Sequence, residues 1–430
     1  MGFYHLFMSS SSDFFAALRY RDFILISVNQ LCLTLAILIQ EIVVAYSLYQ
    51  LSKNPLMLGL IGIVELIPFI LLSFFGGYIA DRFNRQTILK YGFSLTCIIP
   101  LLLILVFLLH QQQTITLFQL SLSIFGCIFC LGILRGIYSP AFNSLRCFLV
   151  PEKMYSHANT WTALIWQLGA ILGPLIAGLL LHQFGRYISL GIAFIFLLIG
   201  SIAICSMQPR NFPSINNLPI ISSMKEAIMF IRHNRLILWS MLLDLSTVLF
   251  GGILVLLPIF AEDILATDAE GLGLLRAAPA IGTCIMTFIL MRSNLINHAW
   301  RNMLIALIGL GCCTLLFACS RLLWLSFTLL VLMGAFDSMS MIIRQTLLQM
   351  LPPKNLLGRV AAINGIVVTS GNQIGAFQSS LFARLFSTIP ATLLGGSICL
   401  LFVGVSASIN RDLLKSKIKQ HKHTFLTSHK

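Results

Sequence analysis

Charge is what this chain has least of. Of its 430 residues only 10% are charged and 14 are acidic, whereas 58% are hydrophobic. Soluble domains run near ~25% charged, so an ordinary soluble fold is excluded. Catalytic signatures are missing as well. There is no H-E-x-x-H, no G-x-S-x-G and no histidine deep in an apolar run, so nothing suggests an intramembrane enzyme, a bound metal or a cofactor. The absence of G-x-x-x-x-G-K-[ST] removes ATP as a direct energy source in this chain. The opening "MGFYHLFMSSSSDFF" has no basic segment and no small-residue cleavage site, which argues against a cleaved signal peptide, and Leu6 stands where a myristoylation pattern requires Ser or Thr. The pair Cys127 and Cys130 has redox-motif spacing but sits mid-run, where cysteine serves as a small apolar residue. His421, His423 and His429 form a tail whose expected state is solvated.

What is present is apolar sequence in runs of about 20 residues, enough to cross roughly 30 Å of hydrocarbon as helix. Continuous runs exclude the alternation of a barrel strand, so an all-α membrane protein remains. Twelve transmembrane helices are expected, near 23–50, 56–80, 87–109, 116–139, 160–182, 187–207, 236–260, 271–291, 302–318, 322–345, 361–386 and 390–409. An even number puts both termini on one side. Of the 28 Lys and Arg residues, 21 fall in segments on that side and four (Lys53, Arg186, Arg321 and Arg384) in the opposite loops. The positive-inside rule then places both termini in the cytoplasm of a bacterial inner membrane. It also explains the net charge of +14 without a nucleic-acid partner. A polar connector over 208–235 contains "SSMKEAIMFIRHN", which can form a short amphipathic helix with Ser223 as its cap. The domain reading is therefore 1–207, connector 208–235, and 236–430 with a basic tail.

The two halves share a faint repeat. At an offset of 202 residues, Gly169 and Gly173 fall on Gly371 and Gly375, and Arg135 falls on Asp337. At 211, "GIVELIP" falls on "GLLRAAP", so Glu65 overlies Arg276. Paired repeats are typical of secondary transporters, whose substrate sites lie between the halves. The charges are exchanged between equivalent positions, and from the alignment Glu65 and Arg276 are expected opposite one another as an outer gate.

Seven charged residues fall inside expected spans: Glu41, Glu65, Arg135, Asp244, Arg276, Asp337 and Arg344. At ~3 kcal/mol each, leaving them in lipid would cost about 20 kcal/mol, more than most folds possess. They must be paired, hydrated or, as expected for Arg344 near a helix end, snorkelling. A polar cavity between the halves would hydrate most of them. Glu41 and Asp337, then Asp244, are the proton-coupling candidates, because desolvation and neighbouring arginines pull a carboxyl pKa in opposite directions. Arg135, Tyr46, Tyr138 and Trp166 are the substrate-cavity candidates; the basic and aromatic groups would suit an anionic or ring-bearing ligand.

"GGYIADRFNRQ" places Gly77, Asp81, Arg82 and Arg85 after the second span. The pattern G-x-x-x-D-R-x-x-R resembles the signature loop of the major facilitator superfamily, which helps close the cytoplasmic side between the halves. Asn84 stands where that family has a glycine, and asparagine can also adopt turn geometry. "GAILGPLIAG" resembles the G-x-x-x-G-P motif of the superfamily's antiport-driven exporters. Gly169, Gly173 and Gly178 allow close backbone approach, and Pro174 bends the helix. "ALRYRDF", "LPIFAEDIL", "GLGLLRAAPAIG" and "DSMSMIIRQTLLQMLPPKNLLGRVAAIN" are similar to one branch, that of the enterobactin exporter and macrolide-efflux-like proteins. The resemblance implies two six-helix bundles, with helices 1, 4, 7 and 10 lining the cavity. It further implies proton-driven export of a small amphipathic molecule, a siderophore first and a multidrug or macrolide substrate second. A lysophospholipid is a more distant reading. The expected partners are substrate, protons and the lipid bilayer, with the monomer as the working unit.

Overall fold

The computed structural model describes residues 16–146, 149–151, 154–208, 220–290, 298–353 and 356–415; for Gly77, Asp81 and Arg82 it describes the backbone alone. The described residues form helices and no strand. In chain order the long helices are α1 (Arg21–Ser52), α2 (Pro55–Arg82), α3 (Arg85–Gln111), α4 (Leu117–Arg146), α5 (155–184), α6 (186–205), α7 (Arg235–Ile264), α8 (Ala269–Leu290), α9 (Ala299–Cys319), α10 (Leu323–Met350), α11 (Leu357–Phe386) and α12 (Thr388–Ile409), and all but the more polar α11 lie in stretches long and apolar enough to cross a membrane. The helix of the connector, Ile220–His233, forms as expected, but it starts before Ser223, which is therefore not its cap.

Local chemistry explains the interruptions. Helix α3 breaks at Cys97, because Pro100 has no N–H to donate to the carbonyl of Thr96. Helices α5 and α6 follow one another with a single non-helical residue, Gly185, at φ 75°. An L side chain resists that conformation. The chain reverses there. Gln30 of α1 donates to the Thr162 carbonyl and its neighbour Asn29 to the Gly200 carbonyl. Along one straight helix those carbonyls would lie about 57 Å apart. Helix α7 is regular over Arg235–Phe250, interrupted by Gly251 and Gly252, and continues through 3-10, α and π turns to Ile264.

The halves are pseudo-symmetric in their contacts. Gly169 and Gly173 of α5 meet Thr34 and Leu38 of α1, while their equivalents Gly371 and Gly375 of α11 meet α7 at Leu245 and Val248. Gly132 of α4 lies on the Glu65 carbonyl and Pro68 of α2, and Gly334 of α10 lies on Pro279 of α8. Both offsets read in the sequence thus join residues that make the same contact in each half. Without a hydrophobic drive between helices in lipid, such small-residue seams supply the close packing that holds them.

Candidate functional site

Two seams join the halves: α2 with α11, and α5 with α8. On the first, Gly59 abuts Phe377 and Ser380; on the second, Gly178 and Gly273 bring their Cα atoms together beside the Pro174 carbonyl. Both contacts lie toward the side away from the chain ends, here called the outer side. Polar links cluster there too. Tyr49 donates to Asp263, Lys53 donates to Glu262 at 2.6 Å, and His182 lies 3.7 Å from Asp268. Glu262 also holds the Lys53 proton more firmly, raising its pKa. On the terminal side Gln86 donates to the Met207 carbonyl, Arg235 to the Ile409 carbonyl, and Arg359 to Glu226 of the connector helix. The terminal stretches of α5 and α11 are exposed, and Gly358 and Gly365 have no neighbour within 4 Å. The molecule is therefore closed outside and open between its halves on the terminal side.

A substitution can test that seam. A side chain at Gly178 would collide with Gly273 and the Ala269 carbonyl across the halves, at 2.7–2.9 Å from its Cβ. Gly178→Val is expected to fold, because the clash lies between bundles, and to hold the outer side apart. Cysteine labelling of outer residues from the aqueous phase should then rise severalfold.

Six of the seven intramembrane charges are paired in the structure. Arg276 of α8 donates to Glu41 of α1 at 2.9 Å, across the halves. Arg135 of α4 donates to Glu65 of α2, and Arg344 of α10 to Asp244 of α7, with Asn364 of α11 accepting a further bond from Arg344 at 3.3 Å. The expected Glu65–Arg276 gate is not formed, since Glu65 is held inside its own half. The alignment matched positions by symmetry, and symmetry-related residues lie in different bundles rather than face to face. Exchanging those two charges would set like charges together at both pairs. Arg344 does not snorkel: it is 3% exposed and bound to Asp244, itself 5% exposed.

Asp337 differs from the rest. It has no hydrogen bond or ion pair among the described residues, and it is exposed. Yet it sits mid-helix on α10, deep in protein and within electrostatic reach of Arg344 and Asp244. Exposure at that depth means that it faces the open cleft. Arg135, its side chain 37% exposed beside Glu65, is similarly deep but only partly exposed. The aromatic candidates separate. Tyr138 is 3% exposed, its ring 4.7 Å from that of Phe93, so it belongs to the core and not the cavity wall. Tyr46 is buried toward the outer end, within the field of Glu262 and Asp268. Trp166 is 54% exposed. On α5, Gly169 and Gly173 face α1, and Gln167 and Gly178 face α8. At 100° per residue Trp166 falls in the smaller arc between those faces, toward the cleft.

The signature loop is described in part. Gly77, Asp81 and Arg82 lie on the last turns of α2, and their side chains fall outside the described residues, as does the histidine tail. Asn84 caps α3 by accepting from the Gln86 N–H at 2.9 Å, with φ −62°. It thus replaces the family's glycine by capping a helix and not by a left-handed turn. Arg85 opens α3 and is buried.

The comparisons agree with this architecture. The family model of the Major Facilitator Superfamily matches residues 24–376, and the chain belongs to that superfamily. It is a multi-pass membrane transporter of small molecules and not an enzyme. It is 24% identical over 364 residues to the uncharacterized MFS-type transporter YhjO of Bacillus subtilis (strain 168), covering 83% of this chain and 85% of that one. It is 25% identical over 343 residues to the enterobactin exporter EntS of Shigella boydii serotype 18, covering 77% of each. Its fold matches the crystal structure of a bacterial homologue of the iron transporter ferroportin in an inward-facing state, with a TM-score of 0.67 at 18% identity, over 90% of this chain and 99% of that one.

Proposed function

We propose that this transporter is a proton-coupled exporter of a small amphipathic molecule, working by alternating access from a bacterial inner membrane with both termini in the cytoplasm. The observation that carries the reading is the cleft itself. Mid-membrane charges line or flank it, and its outer side is shut by links between the halves, including the Glu41–Arg276 pair. With cytoplasmic termini, the open side is the loading side of an exporter. Glu41 is the first proton candidate, because its partner belongs to the other half and parts from it when the outer side opens. Asp244, buried against Arg344, is the weakest of the three acids for that role. The motif residues Gly77, Asp81, Arg82 and Arg85 are assigned to closing the cytoplasmic side.

A siderophore is the favoured cargo through the likeness to the enterobactin exporter. One observation favours the multidrug or macrolide reading: Arg135 is already neutralised by Glu65, so the cleft offers an anion little free positive charge. Iron-starved cells with and without the protein decide between them. Chelator that falls in the medium and builds up inside the deleted strain supports siderophore export. Unchanged chelator pools, with raised sensitivity to hydrophobic antibiotics, support the second reading. In either assay Asp81→Asn is expected to cut transport at least about tenfold with normal membrane insertion, and unchanged turnover would remove the gating role.

A further inference from the structure

Pseudo-symmetry makes a prediction that the second half does not obey. In the first half Glu65 and Arg135 form an ion pair that flanks the contact of Pro68 with Gly132. The equivalent residues are Arg276 and Asp337, flanking the equivalent contact of Pro279 with Gly334. The sequence spacing is the same: one partner lies three residues before the proline and the other three residues after the glycine. Along the helix axes both separations are about 9 Å. The charges are reversed, and the aspartate is one methylene shorter than the glutamate. Yet Arg276 is turned to Glu41 across the halves, and Asp337 is left exposed in the cleft. Arg276 is also incompletely satisfied where it is, since its Nε is buried without a partner.

We propose that Asp337 is the cleft's binding point for the cationic group of the cargo, and that Arg276 is its internal competitor, exchanging Glu41 for Asp337 when the outer side opens. This rests on the export reading and narrows its substrate class to an amphipath bearing an ammonium or another organic cation. Among the seven intramembrane charges the three pairs are balanced, so Asp337 is the uncompensated one. Its surroundings hold one more acid than free cation. Asp244 comes from α7 and is spent on Arg344 of α10; α8 offers Arg276, spent on Glu41; α9 and α11 carry charge only toward their ends, at Arg301, Arg359 and Arg384. Trp166 adds an exposed aromatic face in the same cleft, which attracts a cation and repels an anion. With the outer side closed, Asp337 is free and turned to the loading side. When the halves part outside, Glu41 leaves Arg276, and the guanidinium takes the position that its counterpart already holds in the first half. The cargo cation is then displaced on the side where it must be released.

The test uses two ions of nearly the same shape and opposite charge, tetraphenylphosphonium and tetraphenylborate, with the purified full chain in lipid nanodiscs. The phosphonium should bind saturably and the borate should not. Asp337→Asn should weaken phosphonium binding at least about tenfold, the scale of a lost hydrogen bond or contact to a charged group, while Asp337→Glu should retain most of it. Glu41→Gln frees Arg276 to compete and should weaken binding severalfold, although Glu41 itself faces Arg276 and not the cargo. That weakening should vanish when Arg276→Gln is added. Preferential binding of the borate, indifference to Asp337→Asn, or a Glu41→Gln effect that survives in the Arg276→Gln background would each overturn the proposal. Failure of the underlying export reading shows elsewhere, as unaltered cells that extrude no substrate when a proton gradient is imposed.

Discussion

Gly334→Val is expected to abolish folded protein. A Cβ at this position would lie 2.0 Å from the Pro279 carbonyl oxygen and 2.5 Å from the Pro279 Cα. Both obstacles are backbone, so no side-chain rotation relieves them, and α8 and α10 must separate. Gly282, one turn further along α8, faces the same seam from the other side at 1.9 Å from the Val331 carbonyl. The two glycines therefore set the distance between the helices that carry Arg276 and Asp337. Overpacking of this kind costs about 3 kcal/mol or more, on a total of only about 5–15 kcal/mol. The measurement is monodisperse protein after detergent extraction, with thermal unfolding where any survives. Gly404→Ala on α12 is the control. No atom lies within 4 Å of its Cβ, so it should be neutral or slightly stabilising through helix propensity. Gly132→Val, the counterpart in the first half at 2.4 Å from the Glu65 carbonyl, should reproduce the loss. Normal yield for Gly334→Val would mean that the α8–α10 seam is looser than these distances state.

Much of this architecture is legible in the sequence because hydrocarbon thickness fixes span length and because a repeat leaves paired glycines behind. Gly132 and Gly334, Gly169 and Gly371, and Gly173 and Gly375 sit at equal offsets because each must admit a neighbouring backbone or side chain at the same place in its own half. Ion-pair partners are less legible. A span is known only to a few residues, and a guanidinium reaches across several, so Arg276 had Glu41, Glu65 and Asp337 all as plausible partners. Depth alone could not choose among them; the choice depends on which bundle each helix belongs to and on which side is closed. The core position of Tyr138 has a faint signal. Phe142 follows it at one helical turn, and both rings meet Phe93 of α3. A periodic aromatic pair of this sort marks a packed face more often than a binding wall. The break in α7, which an unbroken span over 236–260 does not anticipate, has its signal in Gly251, Gly252 and Pro258, three poor helix formers at close spacing.

Arg344→Met should cost about 3–5 kcal/mol, the range for removing one member of a buried pair. Both partners are almost wholly buried, and the pair joins α7 to α10 while Asn364 ties in α11. The penalty comes from Asp244, not from the missing attraction. Left without its guanidinium, the carboxylate must stay charged in a dry site or take up a proton, and either state is worse than the pair. The sign of a second substitution follows. Asp244→Asn alone strands the arginine and should be destabilising. Combined with Arg344→Met it removes both charges, and the double variant should recover most of the unfolding temperature lost by Arg344→Met. Transport separates this pair from Asp337. If the Asp244–Arg344 link is a brace, the double variant folds and still moves cargo at a substantial fraction of the normal rate. If Asp244 carries the coupling proton, stability returns while uphill transport does not.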